Sequence, residues 1–592
     1  MRWGAVSRWA VCLLLCLHGA DAAGRTPRER SSRRTRTSGA ANPATPARPA
    51  STSPDPAPPQ PTPPPREAEP APLEPPEPPP APLEEPEPPP APLLPDPAAA
   101  KPPADEIVEV IEDTGPAPPR RVEPAAAPPI DSFQLTGWTR ARFSLGLQST
   151  GAEASDPYAV PHDRLVGQAQ LHLRARYARG RWFEAVLSGL LSAGLFEQDA
   201  RPPDSFNLGN GDVRTAFEPT LREAYVSFFV RRFDLRIGQQ RIAWGRGELF
   251  APNDVINPLD LRDQGLTETE VLRLPTVALR GDLSLGPAVI SAVVAPYFQP
   301  NRIDSYGGNW ALIQPGAPAV YRALAHSLAS SLAIDPTLYP SLQPLLQQTA
   351  LPPADLSGTA VGLRLQLALH RIDLDFFYHY GYDANPRLQI DPALSQTLSQ
   401  IDPTTADAST LSSTLLSGVT AGSVSSTYVR RHHAGLAAVT TAGPLVLRGD
   451  LAFDSQRVFT GSDLQGLVLP SLEGVLGAEY QHGDFGRAVI LELHYQHIFD
   501  LPADDALLFQ RRDNVSLGGL LRWSFLRDRL RFELRGAVGI TPFNYTLRPQ
   551  VAFAQRGFEV RLGVFIPGGE DASFGRYFDR NLAAYTVFRF SF

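Results

Sequence analysis

Hydrophobic and polar residues alternate with a period of two from Phe133 onwards. In "FQLTGWTRARFSLGLQ", Leu135 falls on an apolar face and Arg140 on a polar face, and residues 168–177 and 530–540 repeat the arrangement. Successive side chains of a β-strand point to opposite sides. The pattern therefore predicts strands that have one apolar and one polar face.

The length of these segments and of their connections indicates the kind of sheet. Strands of soluble sheets usually span about five or six residues, whereas tilted strands that cross a membrane need about 9–11. Short connections near 371 and 443 alternate with long ones such as 299–357. Short turns on one side and long loops on the other are typical of outer-membrane barrels.

The sequence thus predicts an all-β fold, a transmembrane antiparallel β-barrel of about 18 strands. An even number of strands places both ends of the barrel on the periplasmic side. The strands are expected at 133–147, 163–178, 181–195, 221–231, 232–241, 271–283, 286–298, 358–370, 372–382, 427–441, 444–455, 471–482, 486–498, 514–526, 529–540, 545–555, 557–567 and 582–592.

Residues 1–23 resemble a secretory signal peptide. Arg2 and Arg8 flank a short apolar stretch, and "ADA" provides a cleavage site with small residues. Both cysteines of the chain, Cys12 and Cys16, would leave with this segment. The mature chain is therefore expected to contain no disulfide and no cysteine metal site.

Residues 24–131 are expected to form a disordered periplasmic arm that precedes a barrel domain at 132–592. The arm begins with an arginine-rich stretch and continues into a proline- and glutamate-rich one, where "APLEPPEPPP" recurs as "APLEEPEPPP". Such a composition favours extended polyproline II and builds no core. Within the arm, "DEIVEVIEDT" (105–114) loosely resembles the energy-coupling box of TonB-dependent transporters. It is interpreted either as a docking strand for a periplasmic partner or as part of the linker.

The last predicted strand, "NLAAYTVFRFSF", ends at Phe592 and places phenylalanines on its apolar face. It resembles the assembly signal of bacterial outer-membrane barrels. That resemblance implies that the barrel-assembly machinery is a partner of the chain.

Two further stretches carry a family resemblance. "LRIGQQRIAWG" with "NDVINPLD", and "APYFQPNRIDSYGGNWALIQP" (295–315), resemble a porin-like family of proteobacterial outer membranes that is akin to the alginate-export barrels. The resemblance covers roughly 133–592 and is strongest over 221–315. It implies a passive outer-membrane channel and assigns no ligand residue.

Charged residues concentrate on the polar faces, which would line the barrel interior, or lumen. Arginines and carboxylates occur there in nearly equal numbers, so most are expected to brace the wall as ion pairs. Four arginines on the first two strands (140, 142, 174 and 176) are expected to lack close carboxylates and are predicted to contact anions. The pore-lining candidates are Arg140, Arg142, Arg174, Arg176, Arg236, Arg364, Arg448, Arg531 and Arg535.

The stretch "WGRGELFAPNDVINP" (244–258) contains a G-x-G that could belong to a phosphate-binding loop. Such a loop requires a helix directly after the glycines, and Phe250, Pro252 and Pro258 oppose one. As the outer connection of a wide barrel, the loop 242–270 either folds inward as a constriction or lies on the surface. The constriction candidates are Trp244, Arg246, Glu248, Asn253, Asp254 and Asn257.

Motifs of enzymes and cofactor sites are missing from the sequence. It contains no H-E-x-x-H, G-K-[ST] or G-x-S-x-G, and His432 and His433 fall on opposite faces of one strand. No enzyme activity, cofactor or metal is therefore expected. The net charge of -8 also argues against nucleic acid as a partner.

The first functional hypothesis is a porin-like channel for passive passage of hydrophilic solutes, anionic ones among them. The alternative is a structural or interaction protein whose barrel anchors the proline-rich arm, and an outer-membrane enzyme is a remote third. All three place the protein in the bacterial outer membrane, in contact with its lipid, with the arm in the periplasm.

Overall fold

The computed structural model describes residues 131–148, 162–195, 217–263, 265–304, 306, 308–318, 321–322, 348–393, 396, 424–481, 487–503 and 506–592. The predicted signal peptide, the arm and its docking strand at 105–114 lie outside the described residues. Every predicted strand lies largely within them.

Eighteen antiparallel strands form one closed sheet, which confirms the predicted fold. The last strand pairs with the first, with Phe588 opposite Ala141, so the sheet has no free edge. The strands are β1 Asp131–Gly146, β2 Leu165–Arg179, β3 Phe183–Gly194, β4 Phe217–Val230, β5 Phe233–Gln240, β6 Thr276–Leu285, β7 Ala288–Ala295, β8 Ala360–Ala368, β9 Ile372–Tyr382, β10 Arg430–Ala442, β11 Leu445–Thr460, β12 Gly466–Gln481, β13 Arg487–Ile498, β14 Asp513–Phe525, β15 Leu530–Thr541, β16 Asn544–Gln555, β17 Phe558–Gly569 and β18 Ala583–Ser591.

The largest departure from the predicted boundaries occurs between β11 and β12. The sequence predicts a long loop at 456–470, but the two strands continue as a hairpin to Thr460 and Gly466. A bulge between Asp454 and Arg457 interrupts the register there. An inserted residue reverses the inward and outward sides of everything after it, which hides the alternation in the sequence.

Glycines close several of the short turns. Gly286 and Gly443 have φ of 66° and 61°, and a Cβ on either would meet no atom within 4 Å. Their positive φ alone therefore explains the residue type, since L-residues rarely adopt it.

Apolar side chains of the barrel point outward and polar ones point inward. Leu363 is 54% exposed whereas Arg364 beside it is 5% exposed, and Leu451 and Asp450 show 46% and 5%. A water-soluble fold has the reverse arrangement. An exterior of this kind suits the hydrocarbon of a bilayer.

Short elements occupy the connections. They are the helical turns Thr269–Leu272 and Phe574–Tyr577, the 3-10 turns Leu356–Gly358 and Asp579–Asn581, and a small sheet of Gln348–Thr349, Arg387–Ile390 and Val424–Thr427. Within the described ranges, no helix is long and apolar enough to cross a membrane.

Candidate functional site: a loop inside the barrel

The connection between β5 and β6, residues 241–275, folds into the lumen and is called the inner loop below. Its two ends are joined by Asn257. The Asn257 side-chain oxygen accepts a hydrogen bond from the backbone N–H of Ile242 at 2.6 Å, and its amide donates to the carbonyl of Leu274 at 2.8 Å. Ile242 and Leu274 are each 1% exposed. The loop therefore starts and ends at a fixed, buried base.

The first half of the inner loop packs against β8 to β14. The Arg246 guanidinium pairs with Asp375 at 2.6 Å, and the Arg246 backbone N–H donates to Asp450 at 3.0 Å. Asn253 donates to the same Asp450 carboxylate at 2.7 Å, and its oxygen lies 3.3 Å from His433 Nε2. All of these wall groups are buried, so their hydrogen-bond partners are protein groups instead of water.

Glu492 on β13 holds the tip of the inner loop. Its carboxylate accepts hydrogen bonds from the backbone N–H groups of Glu248, Leu249 and Phe250, at 2.6, 2.9 and 2.9 Å. Hydrogen bonds to an ionised acceptor are roughly twice as strong as neutral ones. Gly247 allows the tight turn that precedes them, since a Cβ there would lie 1.9 Å from the carbonyl oxygen of Phe250.

Three glycines on the wall make room for side chains of this loop. A Cβ on Gly362 would lie 2.7 Å from the Trp244 ring, one on Gly518 would lie 2.7 Å from the Phe250 ring, and one on Gly435 would lie 1.8 Å from the Asn253 oxygen. Glycine inside a strand weakens it and often marks a close approach of another group. The wall and the loop are therefore complementary in shape.

The second half of the inner loop packs against the opposite wall. Glu268 pairs with Arg140 of β1 at 2.9 Å, with Arg561 of β17 at 2.9 Å and with Arg589 of β18 at 3.8 Å. Burial alone would raise the pKa of Glu268, but the three guanidiniums lower it to about 2. Asp263 adds a contact with Arg142 of β1 at 2.8 Å.

Ion pairs also fix the loop to β4. Arg262 forms a two-point pair with Glu218 at 2.7 and 2.9 Å, and it pairs with Asp260 at 2.8 Å. Burial acts to raise the pKa of Asp260, but Arg262 and Arg302 lower it to about 2. Arg222 of β4 donates to the carbonyls of Val271 and Arg273.

These two sets of contacts show that the inner loop crosses the lumen. One set reaches β9 to β13, and the other reaches β17, β18, β1 and β4, on the far side of the closed sheet. Asp254, midway along the loop, pairs with Arg273, and burial raises the Asp254 pKa in spite of that pair. The loop therefore spans the lumen, and ion pairs anchor it to the wall on both sides.

An aromatic cluster covers the inner loop at the end where the long connections lie. Trp310 packs on Phe565 and Phe578 with ring centroids 5.4 and 5.3 Å apart, and Tyr577 belongs to the same buried cluster. A Cβ on Gly265 would lie 2.2 Å from the Trp310 ring. The Trp310 ring therefore packs directly against the inner loop at Gly265.

The expectation that four arginines of β1 and β2 lack close carboxylates is wrong. Each of them pairs with one: Arg140 with Glu268, Arg142 with Asp263, Arg174 with Glu223 at 3.5 Å and Arg176 with Glu184 at 2.9 Å. Two of those carboxylates come from the inner loop, more than a hundred residues away in the chain. Because the loop carries no strand pattern, strand alternation could not predict the pairing.

The other pore-lining candidates also face the lumen. Arg236 donates to Ser227 at 3.0 Å and lies over the Tyr225 ring. Arg364 pairs with Asp375 at 2.8 Å. The remaining two pairs are Arg448 with Glu479 and Arg531 with Glu559. Arg535 differs from all of them, because it forms no ion pair within the described residues.

All six constriction candidates lie in the inner loop, and five of them are buried. Trp244, Arg246, Asn253, Asp254 and Asn257 are buried against the wall or within the loop. Glu248 is the exception, at 30% side-chain exposure, and it pairs with Arg448 at 3.4 Å. The sequence did not single out Glu492, Asp450, His433 or Glu268 as loop anchors. Glu492, Asp450 and His433 carry only the signal of a polar side chain on an inward strand position, and Glu268 lies in the loop, where that signal does not exist.

His432 and His433 point to opposite sides of β10, as predicted. His433 is fully buried and bonds to Asp454 at 3.0 Å, while exposed His432 bonds to Tyr378 at 2.8 Å. In the described part of the chain, no group of three His, Cys, Asp or Glu residues could hold a metal ion.

A family model matches residues 190–558, which include the inner loop and the strands β9 to β13 that its first half contacts. It is described as a protein of unknown function, DUF1302. The chain belongs to the DUF1302 family. No curated protein matches this DUF1302 chain by sequence.

Solved structures of outer-membrane channels are similar to this DUF1302 barrel at low sequence identity. A BenF-like porin from Pseudomonas fluorescens Pf-5 is 10% identical over 79% of this chain and 99% of its own, with a TM-score of 0.41. Acinetobacter baumannii OccAB3 is 9% identical over 78% and 99%, with a TM-score of 0.41. Salmonella typhi OmpF, in complex with daunomycin, is 8% identical over 78% and 98%, with a TM-score of 0.37.

Proposed function

We propose that this chain is a passive outer-membrane channel for hydrophilic solutes, anionic ones among them, and that the inner loop is its constriction. The observation that carries the proposal is the inner loop itself. It crosses the lumen of an 18-stranded barrel and is anchored to both walls. A loop held in this way narrows a passage to a fixed cross-section.

The wall chemistry supports passage of polar solutes. Charged and amide side chains face the lumen, and they form ion pairs across neighbouring strands, such as Arg364 of β8 with Asp375 of β9 at 2.8 Å. A polar interior is typical of barrels that hold a water-filled channel. A hydrophilic solute can therefore exchange water for wall contacts as it passes.

The outward apolar face supports a place in lipid, with the short turns in the periplasm. Exposed leucines, phenylalanines and tyrosines surround the barrel, among them Leu476 at 68% and Leu562 at 57%. Exposed apolar area of this extent indicates a membrane or a partner. Contact with the assembly machinery through the strand ending at Phe592, a periplasmic partner of the arm, and kinship with alginate-export barrels remain predictions from the sequence.

Conductance across a planar bilayer tests the proposal. Purified protein, refolded in detergent, is added to one side of the bilayer in potassium chloride. The expected result is stepwise, ohmic channel openings. Folding is checked first by comparing boiled and unboiled samples on a denaturing gel, because closed barrels resist detergent. Folded protein that inserts and gives no openings would overturn the channel.

A further inference from the structure

Arg535 and Arg548 lie directly opposite each other on β15 and β16. Both occupy lumen positions. On β16, Gln550 and Ala552 are 7% and 6% exposed, whereas Val551 is 42% exposed to the outside. Directly opposed residues in an antiparallel pair have Cβ atoms about 4.5–5.5 Å apart. The two guanidiniums therefore share one patch of the inner wall.

This pair differs from the rest of the wall. Each of the other lumen-facing arginines on the described strands contacts a carboxylate or another oxygen acceptor. Within the described residues, Arg535 and Arg548 form neither an ion pair nor a side-chain hydrogen bond. Both side chains are half-buried, which leaves them within reach of water in the lumen.

The carboxylates nearest to Arg535 are already engaged elsewhere. Glu533, Glu248 and Glu492 act on Arg535 electrostatically without contacting it. Glu533 accepts from Gln550 at 2.9 Å and pairs with Arg522 at 3.3 Å. Glu248 pairs with Arg448, and Glu492 accepts the three backbone N–H groups of the loop tip. None of the three is free to neutralise the pair.

The pair lies on the wall between β13 and β17, the strands that anchor the two halves of the inner loop. The loop tip is hydrogen-bonded to Glu492 of β13 on one side of the pair, and Glu268 is ion-paired with Arg561 of β17 on the other side. The lumen beside β15 and β16 is thus flanked by both halves of the loop. A solute that passes the constriction there would meet Arg535 and Arg548.

Like charges directly opposite each other destabilise a sheet, and the other lumen-facing arginines of the described strands have oxygen partners. We propose that Arg535 and Arg548 form an oxyanion-binding site of the channel, which takes the carboxylate or phosphate groups of passing solutes. Guanidiniums bind such groups with two-point geometry, and a two-oxygen anion can bridge both arginines. The proposal adds a binding site to the proposed channel, and its role in transport rests on that proposed function.

Binding to the folded barrel in detergent tests the site without requiring conduction. Inorganic phosphate and succinate are titrated separately, at low ionic strength, into wild type, Arg535→Gln and Arg548→Gln. The control is Arg280→Gln, which removes one lumen charge from an arginine that pairs with Asp282. We expect heat of binding for wild type and Arg280→Gln, and a loss of affinity of roughly tenfold or more in the other two variants.

Phosphate and succinate together distinguish which class of oxyanion the site binds. Binding of both assigns a general oxyanion site, phosphate alone assigns phosphate esters, and succinate alone assigns carboxylates. Binding of neither by wild type overturns the proposal, as does an equal loss of affinity in Arg280→Gln. The substitutions remove a repulsion, so we expect unboiled samples of both variants to keep the migration of the folded barrel.

Reversal potentials in a potassium chloride gradient separate this proposal from the channel itself. Wild type and Arg280→Gln are expected to favour chloride more than Arg535→Gln does. Identical reversal potentials in all three would overturn the site as a selectivity determinant. If no protein conducts but phosphate or succinate binding still depends on Arg535, the binding site stands and the proposed channel fails.

Discussion

The amide of Asn253, in the inner loop, donates a hydrogen bond to the carboxylate of Asp450 on the barrel wall at 2.7 Å. Both residues are buried, at 0% and 5% exposure. The contact joins positions 197 residues apart. Gly435 lies under the same asparagine.

Substituting Gly435 by alanine should displace the loop. The new Cβ would lie 1.8 Å from the Asn253 oxygen, and overpacking of this kind costs about 1–3 kcal/mol. We expect a higher and noisier single-channel conductance. Gly449→Ala is the control, because a Cβ there meets its nearest atom at an ordinary 3.6 Å. Equal conductance of Gly435→Ala and wild type would show that the loop does not depend on this contact.

Glu492→Gln should loosen the tip of the loop. A neutral amide has one acceptor oxygen in place of two and loses the charge that strengthens the bonds to residues 248–250. We expect these three backbone amides to exchange hydrogen roughly tenfold faster or more, measured on the folded barrel in detergent. Glu184→Gln, which affects a pair with Arg176, should leave their exchange unchanged. Unchanged exchange in Glu492→Gln would contradict the assigned role.

Acid should release the second half of the loop through Glu268. Its pKa is lowered from 4.5 to about 2 in the folded protein. Its stabilisation is therefore complete above pH 4.5 and is lost as the pH falls from 4.5 through 2. The contribution is on the order of 3 kcal/mol. We expect the conductance of the wild type to rise over this acidic range, and the conductance of Glu268→Gln to be raised already at neutral pH. A conductance profile shared by both proteins would exclude this anchor.

The strands were predictable from the sequence because each buries one face and exposes the other. Leu363 beside Arg364 illustrates the rule, and a period of two needs no knowledge of distant residues. The rule fails at Arg457, because a bulge before this residue shifts the register. The end of the hairpin, up to Thr460 and Gly466, therefore resembles a loop in the sequence. Period two also places Arg535 on the lumen face, but it says nothing about what Arg535 contacts.

The inner loop was recognisable in sequence only as a connection with unusual content. Its direction depends on partners such as Glu492 and Arg140, which are more than a hundred residues away in the chain and become neighbours only when the barrel closes. Gly435 and Gly518 look like weak points of strands in the sequence, and the structure explains them as space for Asn253 and Phe250. Contacts between a loop and a distant wall have no local periodicity, so sequence pattern could not predict them.

Removal of the inner loop tests the central claim most directly. Gln240 and Thr276 are opposed at the ends of β5 and β6, so a two-residue Asn-Gly turn can replace residues 241–275. The gel-shift on boiling confirms that the shortened barrel is folded. The account predicts a single-channel conductance severalfold above that of wild type, with steady openings. A folded variant whose conductance equals that of wild type would contradict the constriction.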